Sequence, residues 1–496
     1  MSELNNTLKD SGAPTVAGFD PALYNADLAP MQGKNKNWTW WSYCAIWMGI
    51  VHNLVAWQVA ANLIAQGMSF WQAFCCVSLA YGIAFLAIVI NSYAGAKYGV
   101  PFPVLIRAAF GTRGACIPVF LRAVLGVFWF GVHMYLGSMA VNAILGAAFA
   151  AWEQLGRYPL LGMPLNNFIA YVITWLLHAW IITHNIERVR KFETWAGPLI
   201  MLVGLGLVGW AANKADGFGN LLSLPGTLSG AHFWLTFFIG MSSLLGTVAT
   251  LILNISDLTR FSRSQKDHLI GQGIGMPVMF AVFSAMALLT TAGTLIAFDK
   301  PLTNPIEVLM QFDHPLVVII GAASILISTL SVNVGTNGVA VGYDLTSLLP
   351  KVLNFSKSAL IAIIIGALSA PWLWYREGGS FEMVMGAIGA TMGPVLGIML
   401  ADFYIVRKRN YDVNSLFRHS GRYGQWNSYA VIAFLLGIVS AFIGLFTPSL
   451  TILYSFNWFI GVGVAGIAYL LMMTLSKNRV SIAGQLIATE SVANDK

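Results

Sequence analysis

The chain has 496 residues, of which 57% are hydrophobic and 9% charged. Soluble domains carry about 25% charged residues, so a water-bathed exterior is excluded and lipid is the expected solvent. The formal net charge of +7 does not indicate nucleic acid, because the cations sit in short segments between apolar runs.

In chain order, the first 36 residues are polar and hold no apolar signal core, so they read as a mobile cytoplasmic tail. About 20 apolar residues cross a bilayer as a helix. Twelve such runs follow, near 41–66, 70–95, 117–147, 166–184, 193–212, 233–256, 269–297, 315–343, 358–373, 380–403, 428–446 and 453–475. The runs are too long and continuously apolar for barrel strands. With the N-terminus inside, 23 Lys and Arg fall on the inner side and four, Arg157, Lys214, Lys300 and Arg376, on the outer side. This asymmetry places both termini in the cytoplasm and requires an even number of spans. Cys44, Cys75, Cys76 and Cys116 lack metal-ligand spacing and read as packing residues.

Two spans are interrupted by small residues near mid-membrane. Span one carries Gly49-Ile50-Val51-His52-Asn53, and span six carries Gly240 to Thr247 with a second glycine at Gly246. Unwound backbone at that depth needs partners, which an ion or substrate supplies. Breaks five spans apart predict an inverted repeat of five plus five helices with two further helices at the C-terminus. The expected division is a tail over 1–36, repeats over 37–212 and 213–409, two added helices over 410–475 and a tail over 476–496. The plainer reading of these glycines is helix packing.

Polar groups inside hydrocarbon mark function. His52 and Asn53 stand at the proposed break. In span three, Trp129 and His133 lie four apart on one helix face, where a ring can stack on a flat ligand and an imidazole can bond its edge. Span eight is polar from Ser328 to Asn337, with Asn333 and Asn337 one turn apart. Each has a plainer reading: Trp129 facing lipid, the histidines neutral in the bundle, the hydroxyls bonded to helix carbonyls. His178 has no polar company and reads as structural. Asp257 and Asp402 read as local ion pairs with Arg260 and Arg407. Asp344, like them, lies near a cytoplasmic helix end.

Residues 46–53 (IWMGIVHN), 128–133 (FWFGVH), 253–261 (LNISDLTRF), 328–337 (STLSVNVGTN) and 391–409 (TMGPVLGIMLADFYIVRKR) resemble the nucleobase–cation symporter family of allantoin, uracil, cytosine and hydantoin permeases. Residues 100–108 (VPFPVLIRA), 193–199 (ETWAGPL) and 250–261 (TLILNISDLTRF) resemble its bacterial allantoin permeases most. The resemblance implies twelve helices, the five-plus-five fold and alternating access in a bacterial inner membrane. It implies that Trp129 stacks on the substrate, that Asn337 bonds it and that Asn53 contacts it. His133 stands where relatives usually have Gln, and Val248, next to Thr247, where several carry a second aromatic. That departure removes one face of the usual stacking sandwich and admits a bulkier or puckered ring, so a dihydropyrimidine, hydantoin or allantoin would fit.

The resemblance also implies a sodium site from carbonyls of Gly49, His52 and Ser328, with Ser331 and Val332 at the side-chain positions. Val332 has no hydroxyl, and hard cations need several oxygens, so proton coupling stands beside sodium coupling with His133 or His52 as its carrier. No phosphate-binding GxxxxGKS/T string, catalytic pair or metal cluster is present. An enzyme or ATP-driven pump is therefore not expected. A vitamin symporter of thiamine or B6 type, or an amino-acid symporter, on the same fold and an uncoupled channel are the rivals.

Overall fold

The computed structural model describes residues 18–182, 186–374 and 380–494. Residues 1–17 of the expected tail, and Arg376 and Lys496 of the charge count, lie outside the described residues. Among the described residues, nine helices are long and apolar enough to cross a membrane, and Trp40–Val51 with Leu54–Ala65 forms a tenth span bent by 60°. The shorter apolar helices Leu165–Ile181 and Pro198–Lys214 occupy the fourth and fifth positions of the expected twelve.

Span one breaks where its polar pair stands. The first half ends at Val51, His52 adopts φ −78° and ψ 60°, and Asn53 is extended. The Asn53 Oδ1 atom then accepts from the Ala56 N–H at 2.7 Å, so Asn53 caps the second half. A short polar side chain supplies at mid-membrane the partner that water supplies elsewhere.

Span six corrects the sequence reading. It is one uninterrupted α-helix over Gly230–Asn254, with no unwinding between Gly240 and Thr247. Its glycines are contact points: a Cβ at Gly240 would lie 2.5 Å from Leu63 Cδ2, and one at Gly246 would lie 2.9 Å from the Met385 carbonyl oxygen. Small residues let neighbouring backbones approach in membranes. Gly246→Val is therefore expected to cost about 1–3 kcal/mol by overpacking. Unfolding temperature in detergent checks this, and an unchanged value would mean slack at the Met385 contact.

Span two, Phe70–Tyr98, packs on span six and on span seven, Gln265–Phe298. Span three, Cys116–Ala148, packs on spans four and eight and on span nine, Phe355–Leu373. Span eight, Pro315–Leu348, contains a π turn over Asn333–Gly338. Such turns inside α-helices cluster at functional sites. Span eleven, Ser428–Phe446, and the last helix, Asn457–Asn494, pack on span ten, and that last helix runs on through the expected C-terminal tail. A two-stranded hairpin, Pro159–Leu160 with Met163–Pro164, joins spans three and four.

The N-terminal segment departs from the mobile tail expected of it. Asn25 Nδ2 donates to the carbonyls of Pro350 and Leu353, both at 2.9 Å. The Met31 N–H donates to Gly99 O at 2.8 Å, and the Asp20 N–H to Phe417 O at 2.8 Å. The segments that the Lys and Arg count put on one side of the membrane thus meet on one face. Asp402 is held as expected, by Arg407 at 3.3 Å and the hydroxyls of Tyr411 and Tyr469 at 2.9 and 2.7 Å. Asp257 is not held by Arg260, whose Nη atoms donate to the carbonyls of Asp27 and Ala29 at 2.8 and 2.5 Å.

Candidate substrate and cation site

Beside the bend in span one, the π turn of span eight faces Trp129 of span three. Between them lies a cavity of about 30 Å³, lined by Asn53, Trp129, His133, Thr247, Val248 and Asn337 among others. Val332 lines it too. A water occupies about 10–15 Å³ on this measure, so a heterocycle enters only when the walls withdraw.

Trp129 is 3% exposed and faces the bundle. Its indole N–H is buried and meets no acceptor. His133 lies one turn on, the ring centroids 5.6 Å apart. The His133 Nδ1 atom is 2.9 Å from the Trp129 carbonyl oxygen, which assigns its proton there and leaves Nε2 as an acceptor. Asn337 Nδ2 donates to Asn333 Oδ1 at 3.0 Å, which leaves the Asn337 carboxamide oxygen for a ligand. Asn333 in turn donates to Phe130 O at 3.0 Å and to His178 Nε2 at 3.1 Å, and His178 Nδ1 donates to Thr174 O at 2.8 Å. His178 is thus structural, and it fixes the amide that fixes Asn337. Thr247 spends its hydroxyl on Leu244 O at 2.6 Å. Asn53 keeps one face to the cavity while its oxygen caps the helix. The site combines one unmet donor, two acceptors and a stacking face, which is the complement of a cyclic ureide or imide.

His52 does not join this group. Its side chain lines a neighbouring cavity with Trp57, Phe283 and Ser328. His52 Nδ1 bonds the Met48 carbonyl, and its Nε2 is buried without a partner. The expected cation ligands lie where span one ends against span eight. Of the last four carbonyls before the bend, Met48 O is met by His52, Ile50 O by Asn53 Nδ2 at 3.3 Å and Val51 O by the Asn53 N–H at 2.8 Å. Among the described residues no donor meets Gly49 O. The Ser331 hydroxyl is likewise buried without a partner, and Val332 O accepts from Thr336 Oγ1 at 2.7 Å. No group of three or more His, Cys, Asp or Glu able to hold a metal occurs among the described residues.

The sequence reading did not assign several lining residues to the site, Phe280 and Arg122 among them. Phe280 of span seven is an apolar residue among many, stacked on Tyr81 with centroids 3.7 Å apart, and carries no sequence signal. Arg122 lines the same cavity. It stands seven residues before Trp129 on one helix stripe, a signal masked by counting it with the inner-face cations.

The chain is similar to known proteins in sequence and in fold. Residues 30–461 match the family described as permease for cytosine/purines, uracil, thiamine, allantoin. The chain is 37% identical over 457 residues to the allantoin permease of Bacillus subtilis, covering 91% of this chain and 93% of that one. It is 31% identical to the purine-uracil permease of Arabidopsis thaliana, covering 92% and 78% of the two chains. Its fold is that of Mhp1, a nucleobase-cation-symport-1 family transporter solved in a closed conformation with bromovinylhydantoin bound, with a TM-score of 0.76, 22% identity and coverage of 91% and 96%. The protein is a membrane transporter and not an enzyme, and it belongs to the nucleobase–cation symporter family.

Proposed function

We propose that this chain imports a small nucleobase-like heterocycle by cation symport through alternating access, in a bacterial inner membrane with both termini cytoplasmic. Ureide rings of the allantoin and hydantoin type are the first candidates, then dihydropyrimidines and uracil. The observation that carries this reading is the unmet indole N–H of Trp129 beside the His133 and Asn337 acceptors. A ureide ring offers a carbonyl to the first and N–H groups to the others. Val248 in place of an aromatic leaves one ring face without a stacking partner, which suits a puckered ring. The 37% identical allantoin permease supports the same choice. The coupling cation is a proton or sodium.

On the outer side, a cavity of about 410 Å³ bounded by Asn142, Asn166, Asn304 and Glu307 offers the entry route. Substrate passes inward when Trp129 and Phe280 withdraw, and the groups around spans two and three then rock against each other. Uptake of labelled allantoin, hydantoin, uracil and thiamine in cells lacking their own permeases tests the reading. Uptake of thiamine alone would give the site to a vitamin, and entry unaffected both by an uncoupler and by removal of sodium would make the protein a channel. Val248→Trp is expected to restore a second stacking face and shift preference from allantoin toward uracil by about tenfold, on the order of 1–2 kcal/mol. Competition by the two ligands measures this, and an unchanged ratio would remove Val248 from the specificity argument.

A further inference from the structure

Two turns toward the cytoplasm from the substrate site lies a second constellation. Arg122 stands seven residues before Trp129 and Asp344 seven after Asn337, each about 10 Å along its helix. Arg122 is 1% exposed and Asp344 fully buried. The guanidinium gives Nε and Nη2 to Asn254 Oδ1 at 3.3 and 3.1 Å, and its Nη1 has no partner. Asn254 Nδ2 donates to Asp257 Oδ2 at 3.0 Å, and the Phe102 N–H donates to Asp257 Oδ1 at 2.8 Å. Asp257 is thus fully bonded and serves Arg122 through Asn254. Both carboxyl oxygens of Asp344 are buried with no donor at all.

Other charged groups around Asp344 are engaged elsewhere. Arg260, over the Tyr343 ring at 5.2 Å, donates to the carbonyls of Asp27 and Ala29. Arg107 donates to Leu23 O, Leu416 O and Ser347 Oγ. The Asp27 carboxylate accepts from the Phe355 N–H at 2.8 Å, and Lys357 of span nine is exposed. The charges acting on Asp344 are those of Arg122 and Asp257. Val341 of span eight and Arg122 Nη1 share one gap beside Gly126, whose Cβ would lie 2.3 Å from Val341 Cγ2 and 2.6 Å from Nη1. The free N–H and the free carboxyl therefore border the same seam between spans three and eight.

A carboxylate with no donor in a dry site is untenable, whereas a neutral carboxyl is tolerated. Arginine keeps its charge throughout. We infer that Asp344 carries the symported proton, with Arg122 as the cation that pairs with its carboxylate once the proton leaves. In the closed state, Asp344 holds the proton and Arg122 turns to Asn254. When the cytoplasmic side opens, water reaches the seam, the O–H bond of Asp344 breaks, the proton goes to that water and Arg122 Nη1 pairs with the carboxylate. The emptied carrier returns outward with Arg122 and Asp344 paired, and a new proton, taken from the outer side through the cavity that Arg122 lines, then releases the pair. One proton enters and one leaves per cycle.

This inference rests on the symport reading above, and one experiment separates the two. The purified transporter in proteoliposomes is given labelled allantoin under an inward pH gradient, an inward sodium gradient, or exchange conditions with no gradient. A one-unit pH gradient supports up to about tenfold accumulation for one proton. The wild type is expected to accumulate under the pH gradient. Asp344→Asn is expected to exchange label across the membrane yet only to equilibrate. Accumulation by Asp344→Asn equal to wild type overturns the inference and leaves symport standing, as does wild-type accumulation driven by sodium alone. No accumulation of label by the wild type under either gradient sinks both. Should Asp344→Asn fail to exchange, Asp344→Glu decides. Proton-driven uptake with a displaced pH profile sustains the role, and a wild-type profile or no uptake by folded protein rejects it.

Discussion

Trp129→Ala is expected to weaken ureide binding by about 1–3 kcal/mol, roughly 5- to 150-fold in KM for allantoin, with surface expression intact. The ring is buried at 3% exposure, and its N–H has no protein acceptor. Truncation removes both the stacking face and the donor. Trp129→Phe keeps the face alone and falls between, which apportions the loss. Wild-type KM in Trp129→Ala at normal expression would remove the ring from the site.

Asn337→Ala carries the second large effect, and it acts in two places. It deletes the carboxamide oxygen that faces the cavity, and it strips Asn333 Oδ1 of its donor at 3.0 Å. A buried polar group left unpaired costs about 1–3 kcal/mol, so KM rises roughly 5- to 150-fold and stability falls as well. Asn333→Ala separates the two contributions, because it leaves Asn337 in the cavity without its anchor. KM then rises less than in Asn337→Ala, while the unfolding temperature falls as far. Equal KM values in Asn337→Ala and wild type would end the case for Asn337 as a ligand contact.

Long-period features of the fold were legible. Continuous apolar runs gave the spans, and the Lys and Arg asymmetry grouped the connections that the N-terminal segment joins. The bend at His52-Asn53 was legible because a polar pair at mid-membrane needs a structural reason, and Asn53 supplies it as a cap. The same logic misled in span six, where Gly240 and Gly246 serve close approach. Glycine lowers helix propensity and also shortens contact distances, and only the neighbours Leu63 and Met385 decide between these effects. Within the site, the i, i+4 spacing of Trp129 and His133 was readable, whereas the chain from His178 through Asn333 to Asn337 joins three spans by side-chain geometry. Arg122 was hidden by its class, since an arginine near a helix end reads as a topology signal until the fold buries it.

The docked N-terminal segment bears on how fast the transporter turns over. Between Asp20 and Met31 it is stitched to the connections after spans two, six, eight and ten. On the rocking motion proposed above, those connections belong to both of the groups that separate. Each stitch contributes on the order of 0.5–1.5 kcal/mol, so on that reading inward opening is expected to begin with unzipping, and each stitch to be shed multiplies the dwell time of the closed form. Trimming or charging this strip is thus expected to change the rate and to leave selectivity untouched.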